Sequence, residues 1–103
     1  MDMMQITAIE WLTKTKAKVY LDEEAAFILT ASDLAAYGLE EGSWISQDTY
    51  DELFNDVLLK RVKLKALSLL QSKDYSEYEL HSKLKRDFIS TALADSAVDY
   101  IKS

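Results

Sequence analysis

The sequence predicts an α+β protein in which a small three-stranded antiparallel sheet with a short helix is followed by a three-helix repeat bundle. Three observations carry this. Between Gln5 and Thr30 lie three apolar stretches rich in β-branched and aromatic residues, separated by short polar turns, which is the pattern of antiparallel strands. From Gln47 onward the apolar residues recur every three or four positions, with no Gly or Pro to interrupt them, as an amphipathic helix requires. Ser76-Glu77-Tyr78-Glu79 then has the form of a capping box, which starts a new helix. The change of period divides the chain into a β-rich module over 1–45 and a helical module over 46–103.

The strands are QITAIEWL, KVYLD and AAFILT. Asp22, Glu23 and Glu24 leave room only for a tight hairpin between the last two, and the first joins through Thr13 to Lys16. The hairpin lacks the Gly that a primed turn favours, so Glu23 is expected at positive φ at a cost of about 1 kcal/mol. Ser32 is a good N-cap for a short helix, Asp33 suits its positive end, and Gly38 before Leu39 has the form of a helix stop with its apolar contact. Gly42 marks a turn, Trp44 and Ile45 a brief extended contact, and Ser46 a second cap.

The helix from Gln47 to about Gln71 poses a geometric problem. Tyr50, Leu53, Phe54 and Val57 share one stripe, whereas Leu58, Val62, Ala66 and Leu69 share another, rotated by about a third of a turn at 100° per residue. One straight face cannot serve both, so a shared element or a bend near residue 57 is expected. Beyond the capping box, Leu80 and Leu84 form the buried stripe of the next helix and Phe88 closes over them. Ser90 or Thr91 starts the last helix, which turns Leu93, Ala97, Val98 and Ile101 inward.

Composition narrows the function. With 103 residues, 49% hydrophobic and 29% charged, the chain has the make-up of an ordinary folded protein. It has no Cys, which excludes disulfides, thiolate metal sites and a Cys nucleophile. The N-terminus has no basic region ahead of an apolar run, and no apolar run approaches the roughly 20 residues of a membrane span, so a cytoplasmic location is expected. The net charge of −6 conceals an asymmetry, because 31–56 holds seven acids and no Lys or Arg, while 57–103 holds nine basic residues against six acids. Two glycines allow no Gly-rich phosphate loop, and no Ser or Lys has a base beside it in a catalytic motif. The chain is read as a non-enzyme without cofactor or small-molecule substrate.

The candidate binding residues are cations. Lys60, Arg61, Lys63 and Lys65 form the densest basic feature, able to meet an acidic protein surface or phosphates. They spread over about 200° of helix, a broad rim and not a narrow phosphate-reading row, and the plainer reading of them is a solvated helix face. Lys83, Lys85 and Arg86 sit where cations favour a helix C-terminus, and Lys73 lies near the end of the preceding helix. His81, the only histidine, would need carboxylates for nearly all of a metal's ligation and is expected to be partly exposed. Trp11, Trp44, Tyr20 and Phe27 are expected mostly in the core of the sheet module, with a base-stacking platform as the functional alternative.

The stretch LSLLQSKDYSEYELHSKL over 67–84 and FISTALADSAVDYIKS over 88–103 resemble the three-helix repeat of the RecX family: an apolar first helix, a basic residue near its end, a Ser-Glu-x-Glu-Leu start and a final helix after an aromatic. VYLDEEAAFIL resembles the strand pair that precedes the repeats, and LEEGSWIS the connection after it, so the resemblance covers Ile6 to Lys102. Glu23 stands where the family's hairpin has Gly, Asp87 stands where Gly precedes the aromatic, and the basic position is Lys73. Members carry three helical repeats, and this sequence holds one. The resemblance implies a regulator that binds RecA and the RecA–DNA filament, inhibits the recombinase and damps recombination, DNA repair by that route and the SOS response. Weak direct DNA contact is expected beside it. The alternatives are a small DNA-binding three-helix module and a scaffold for an unrelated protein partner.

Overall fold

The computed structural model describes residues 3–102, and the chain forms two compact units, Met1–Tyr50 and Asp51–Ser103. The first contains strands β1 (Met3–Trp11), β2 (Lys16–Leu21), β3 (Glu24–Thr30), helix α1 (Ala31–Tyr37) and strand β4 (Trp44–Ser46). All pairings are antiparallel and the order is β3-β2-β1-β4. The sheet therefore has four strands where three were expected. Nine-residue β1 extends past β2, and its first residues pair with β4, Met3 opposite Ser46 and Gln5 opposite Trp44. A strand of three residues is too short to display an alternation, so its pairing is set by the partner strand and not by its own pattern.

The hairpin between β2 and β3 closes over Asp22 and Glu23, at φ 50° and 72°, the left-handed pair of a type I′ turn without glycine. Polar groups of β1 support it: Gln5 N–H donates to Asp22 Oδ1 at 3.2 Å and Glu23 N–H to Thr7 Oγ1 at 2.9 Å. Ile6, Ala17, Val19, Leu21, Phe27, Leu29 and Ile45 are buried and make the core of this unit. Trp11 and Trp44 do not join it. They remain 53% and 56% exposed, because each lies at the end of a strand pairing, where the sheet offers no covering layer.

Helix α1 begins one residue after β3, so Thr30, not Ser32, is its N-cap. Thr30 Oγ1 accepts from Asp33 N–H at 3.2 Å, and Asp33 Oδ2 accepts from Thr30 N–H at 2.9 Å, a closed capping box. Gly38 ends the helix at φ 63°, and Leu39 is buried with its N–H on Leu34 O. Only a residue without a Cβ takes that left-handed cap without strain. Ser46 caps α2 (Gln47–Glu52) by accepting from Thr49 N–H at 3.1 Å.

The two conflicting stripes are reconciled by a π-helical segment, Leu53–Leu58, between α2 and α3 (Leu59–Ser72). Leu59 N–H reaches back five residues to Phe54 O, which widens the turn. Leu53 and Leu58 are both buried, while Phe54 and Val57 are half-buried. In a regular helix the five-residue step would carry Leu58 about 140° from Leu53. With the wide turn, Leu53 and Leu58 are both buried.

In the second unit α3, α4 (Glu77–Phe88) and α5 (Thr91–Lys102) pack on one another. Val62, Ala66 and Leu69 meet Leu80 and Leu84 of α4 and Leu93, Ala94, Ala97 and Val98 of α5, all buried. Each fully buried leucine of this set contributes about 1.5–3 kcal/mol. The capping box of α4 forms as expected, with Ser76 Oγ accepting from Glu79 N–H at 3.1 Å and Glu79 Oε1 from Ser76 N–H at 3.0 Å. Ser90 Oγ caps α5 by accepting from Leu93 N–H at 3.1 Å. Ile89, between them, is held at φ 57°, a strained conformation for a β-branched residue.

Candidate partner-binding surface

Because Val62, Ala66 and Leu69 turn inward, the opposite side of α3 carries what the core does not use. Leu64 is 65% exposed and Leu67 39%. Together with Lys60 they sit at i, i+4 and i+7, one outward stripe. Lys65 adjoins Leu64 and is also exposed. Two exposed leucines with cations nearby make a small mixed apolar and basic patch on the outer face of α3.

The sequence-derived cations divide by what they touch. Lys63 Nζ lies 5.1 Å from the centre of the Tyr100 ring on α5, and Lys73 Nζ lies 4.7 Å from that of Tyr75, cation–π contacts that tie down local structure. Lys83 pairs with Asp87 one turn on, at 3.6 Å. Arg61 is half-buried. Lys60, Lys65, Lys85 and Arg86 are exposed, and among the described residues none of these four side chains makes an ion pair or hydrogen bond. Of them, Lys60 and Lys65 flank the exposed leucines on α3, whereas Lys85 and Arg86 lie in the last turn of α4, where the helix dipole favours them.

Leu64 and Leu67 escaped the sequence reading, although their signal was present. Leu64 is two residues from Val62, about 200° around the helix, and cannot share its face.

A cleft of about 540 Å³ between α4 and α5 is lined by Glu77, Tyr78, His81, Asp95, Val98 and Asp99. His81 Nε2 lies 2.6 Å from Asp95 Oδ1, and Lys102 Nζ 3.4 Å from Glu77 Oε1. These contacts join the two helices. Among the described residues no group of three His, Asp or Glu side chains is placed to hold a metal. The Glu79 carboxyl is held below its ordinary range by the hydrogen bond from the Ser76 backbone, then by the Ser76 side chain, with Lys73 adding a smaller attraction. That is the signature of a helix cap, not of an acid–base catalyst. No helix of the described residues is long and apolar enough to cross a membrane.

No family model matches the chain. Among curated proteins it is similar to the regulatory protein RecX of Caldanaerobacter subterraneus subsp. tengcongensis, 33% identical over 88 residues, which covers 85% of this chain and 45% of that protein. It is similar also to the regulatory protein RecX of Clostridioides difficile strain 630, 25% identical over 100 residues, 95% of this chain and 47% of that one. A solved structure of a regulatory protein RecX covers 96% of this chain and 49% of its own, at 19% identity and a TM-score of 0.49. The chain thus spans about half the length of the curated relatives it matches.

Proposed function

The chain belongs to the RecX family of regulatory proteins, and from that premise we propose that it binds RecA or the RecA–DNA filament in the cytoplasm and restrains the recombinase. The effect is to damp recombination and the SOS response. The helical module over 46–103 carries the contact through the outer face of α3, and the β-rich module over 1–45 precedes it. The observation that carries this reading is Leu64, 65% exposed between the unpaired cations Lys60 and Lys65. An apolar anchor inside a basic rim suits an acidic protein surface, with burial giving affinity and charge giving orientation and rate.

The test is binding of the fluorescently labelled chain to RecA filaments on single-stranded DNA, together with RecA-dependent ATP hydrolysis. Leu64→Ser and Lys60→Glu are expected to weaken binding by about tenfold or more each. No binding and no inhibition at several-fold excess over RecA would remove the proposal. The four unpaired cations favour a second reading, direct contact with DNA phosphates. It predicts affinity for bare DNA that falls steeply with salt and with Lys60, Lys65, Lys85 and Arg86 changed to Ala.

A further inference from the structure

The first unit has an open sheet edge beside an acidic groove, and nothing in the proposed role of α3 uses it. β4 covers β1 from Met3 to Gln5, and the turn before it takes both backbone groups of Ile6, whose N–H donates to Ser43 O and whose O accepts from Gly42 N–H. Just past the end of β1, Leu12 N–H donates to Lys16 O on the β2 side, whereas within the strand Ile9 N–H points the other way and donates to Glu41 Oε2 at 2.9 Å. In an antiparallel ladder these directions alternate. Ile9 and Trp11, opposite Val19 and Ala17, therefore turn their outer backbone groups toward the uncovered edge, where Glu41 holds the Ile9 N–H and the Ile9 carbonyl and the Trp11 groups face outward.

Directly beside that edge is a groove of about 590 Å³ whose lining includes Ile9, Trp11, Leu34, Leu39, Glu40 and Glu41. Its floor is apolar, and Trp11, 53% exposed, lies along it. Its charged lining consists of two carboxylates with no cation. One oxygen of Glu41 holds Ile9 N–H, and among the described residues the other has no hydrogen bond or ion pair.

We propose that this edge receives a short extended segment of a partner protein that carries Lys or Arg, added as a strand alongside Ile9–Trp11. Strand addition supplies the backbone hydrogen bonds that Trp11 lacks, and pockets for alternate side chains supply the selectivity. An apolar side chain of the segment packs against Trp11 and Leu39, and its cation pairs with Glu40 and the free oxygen of Glu41. Charge complementarity selects this occupant, because a neutral or acidic strand would bring nothing to neutralise those carboxylates. Glu41 also guards the edge: a strand must accept the carboxylate already on Ile9, which discourages indiscriminate pairing.

The experiment uses the whole chain with Trp44→Phe, so that Trp11 is the sole indole, and the acetylated, amidated pentapeptide Lys-Val-Lys-Val-Lys as probe. Titration should shift Trp11 emission to the blue and slow exchange of the Trp11 amide. The same peptide with Glu for Lys should bind at least about tenfold more weakly, and Glu41→Gln, which keeps an acceptor for Ile9, should lower the affinity for the Lys peptide by about tenfold. Trp11→Ser should abolish the response measured by amide shifts, with the melting temperature showing that the fold persists. Equal binding of both peptides, an unprotected Trp11 amide, or no binding at millimolar peptide would overturn the proposal. So would Trp11 amide protection that grows with protein concentration alone, since a second copy of the chain would then own the edge.

Discussion

Glu23 shows how a single residue can be legible in sequence and still cost stability. Its place in a two-residue turn demanded positive φ, and the structure has it at 72° with its backbone N–H secured on Thr7. Its exposed side chain makes no hydrogen bond or ion pair among the described residues, so Glu23→Gly should stabilise the protein by about 0.5–1 kcal/mol, measured by urea unfolding. Glu79 gives a second prediction at this scale. Its folded-state pKa is lowered from the ordinary 4.5, so its contribution is present above that value and is lost as pH falls through the lower folded value. Acid titration followed by circular dichroism should show helix loss below about pH 4.5 that is shallower in Glu79→Gln, whose amide oxygen still accepts from Ser76 but does not titrate. A profile unchanged by the substitution would detach the cap from acid stability. The cap at Thr30 was missed for a local reason: Ser32 has the better side chain, but the helix begins where β3 ends, and the chain leaves no residue between them.

At the scale of the element, the π-helical segment is the clearest product of conflict within a sequence. The two stripes were readable from spacing alone, and the discontinuity between them was readable too. The form of its solution was not, because a bend and a wide turn satisfy the same apolar pattern. The wide turn has a testable consequence. Deleting exposed Asn55 would leave Leu53 and Leu58 four positions apart, about 40° from a common line in a regular helix, so the melting temperature should stay within about 3 °C of the parent. Deleting Ser68 in the regular part of α3 would rotate Leu69 out of the core by about 100° and should cost about 2–5 kcal/mol. Comparable losses from both deletions would mean that the wide turn is required for packing and not merely tolerated. The outward leucines of α3 belong to this scale as well. They make a surface only because the other face of the same helix is spent on Val62, Ala66 and Leu69.

For the whole molecule, charge decides among partners. A net charge of −6 opposes approach to nucleic acid, and three of the sequence-derived cations, Lys63, Lys73 and Lys83, are engaged within the fold. Bare single-stranded DNA should therefore show no saturable binding below about 100 μM at physiological salt, read by fluorescence anisotropy. Tight, salt-steep binding would favour the phosphate reading over the protein reading. A surface such as Lys60, Leu64, Leu67 and Lys65 gains from an acidic protein partner what it cannot gain from phosphates, namely burial of the two leucines.

What this sequence determined by itself is the succession of strands and helices, most of the caps, the inward faces of α3, α4 and α5 and the family resemblance. All of these rest on spacing and on short-range hydrogen bonds, which a chain carries locally. Only the tertiary structure decided that Trp44 and Ile45 belong to a fourth strand, that Trp11 stands at an open edge, and which cations remain unpaired. Those outcomes depend on residues distant in the chain, Met3 against Ser46, Ile9 against Glu41 and Lys63 against Tyr100, and no local pattern of apolar and polar residues encodes who meets whom across such separations.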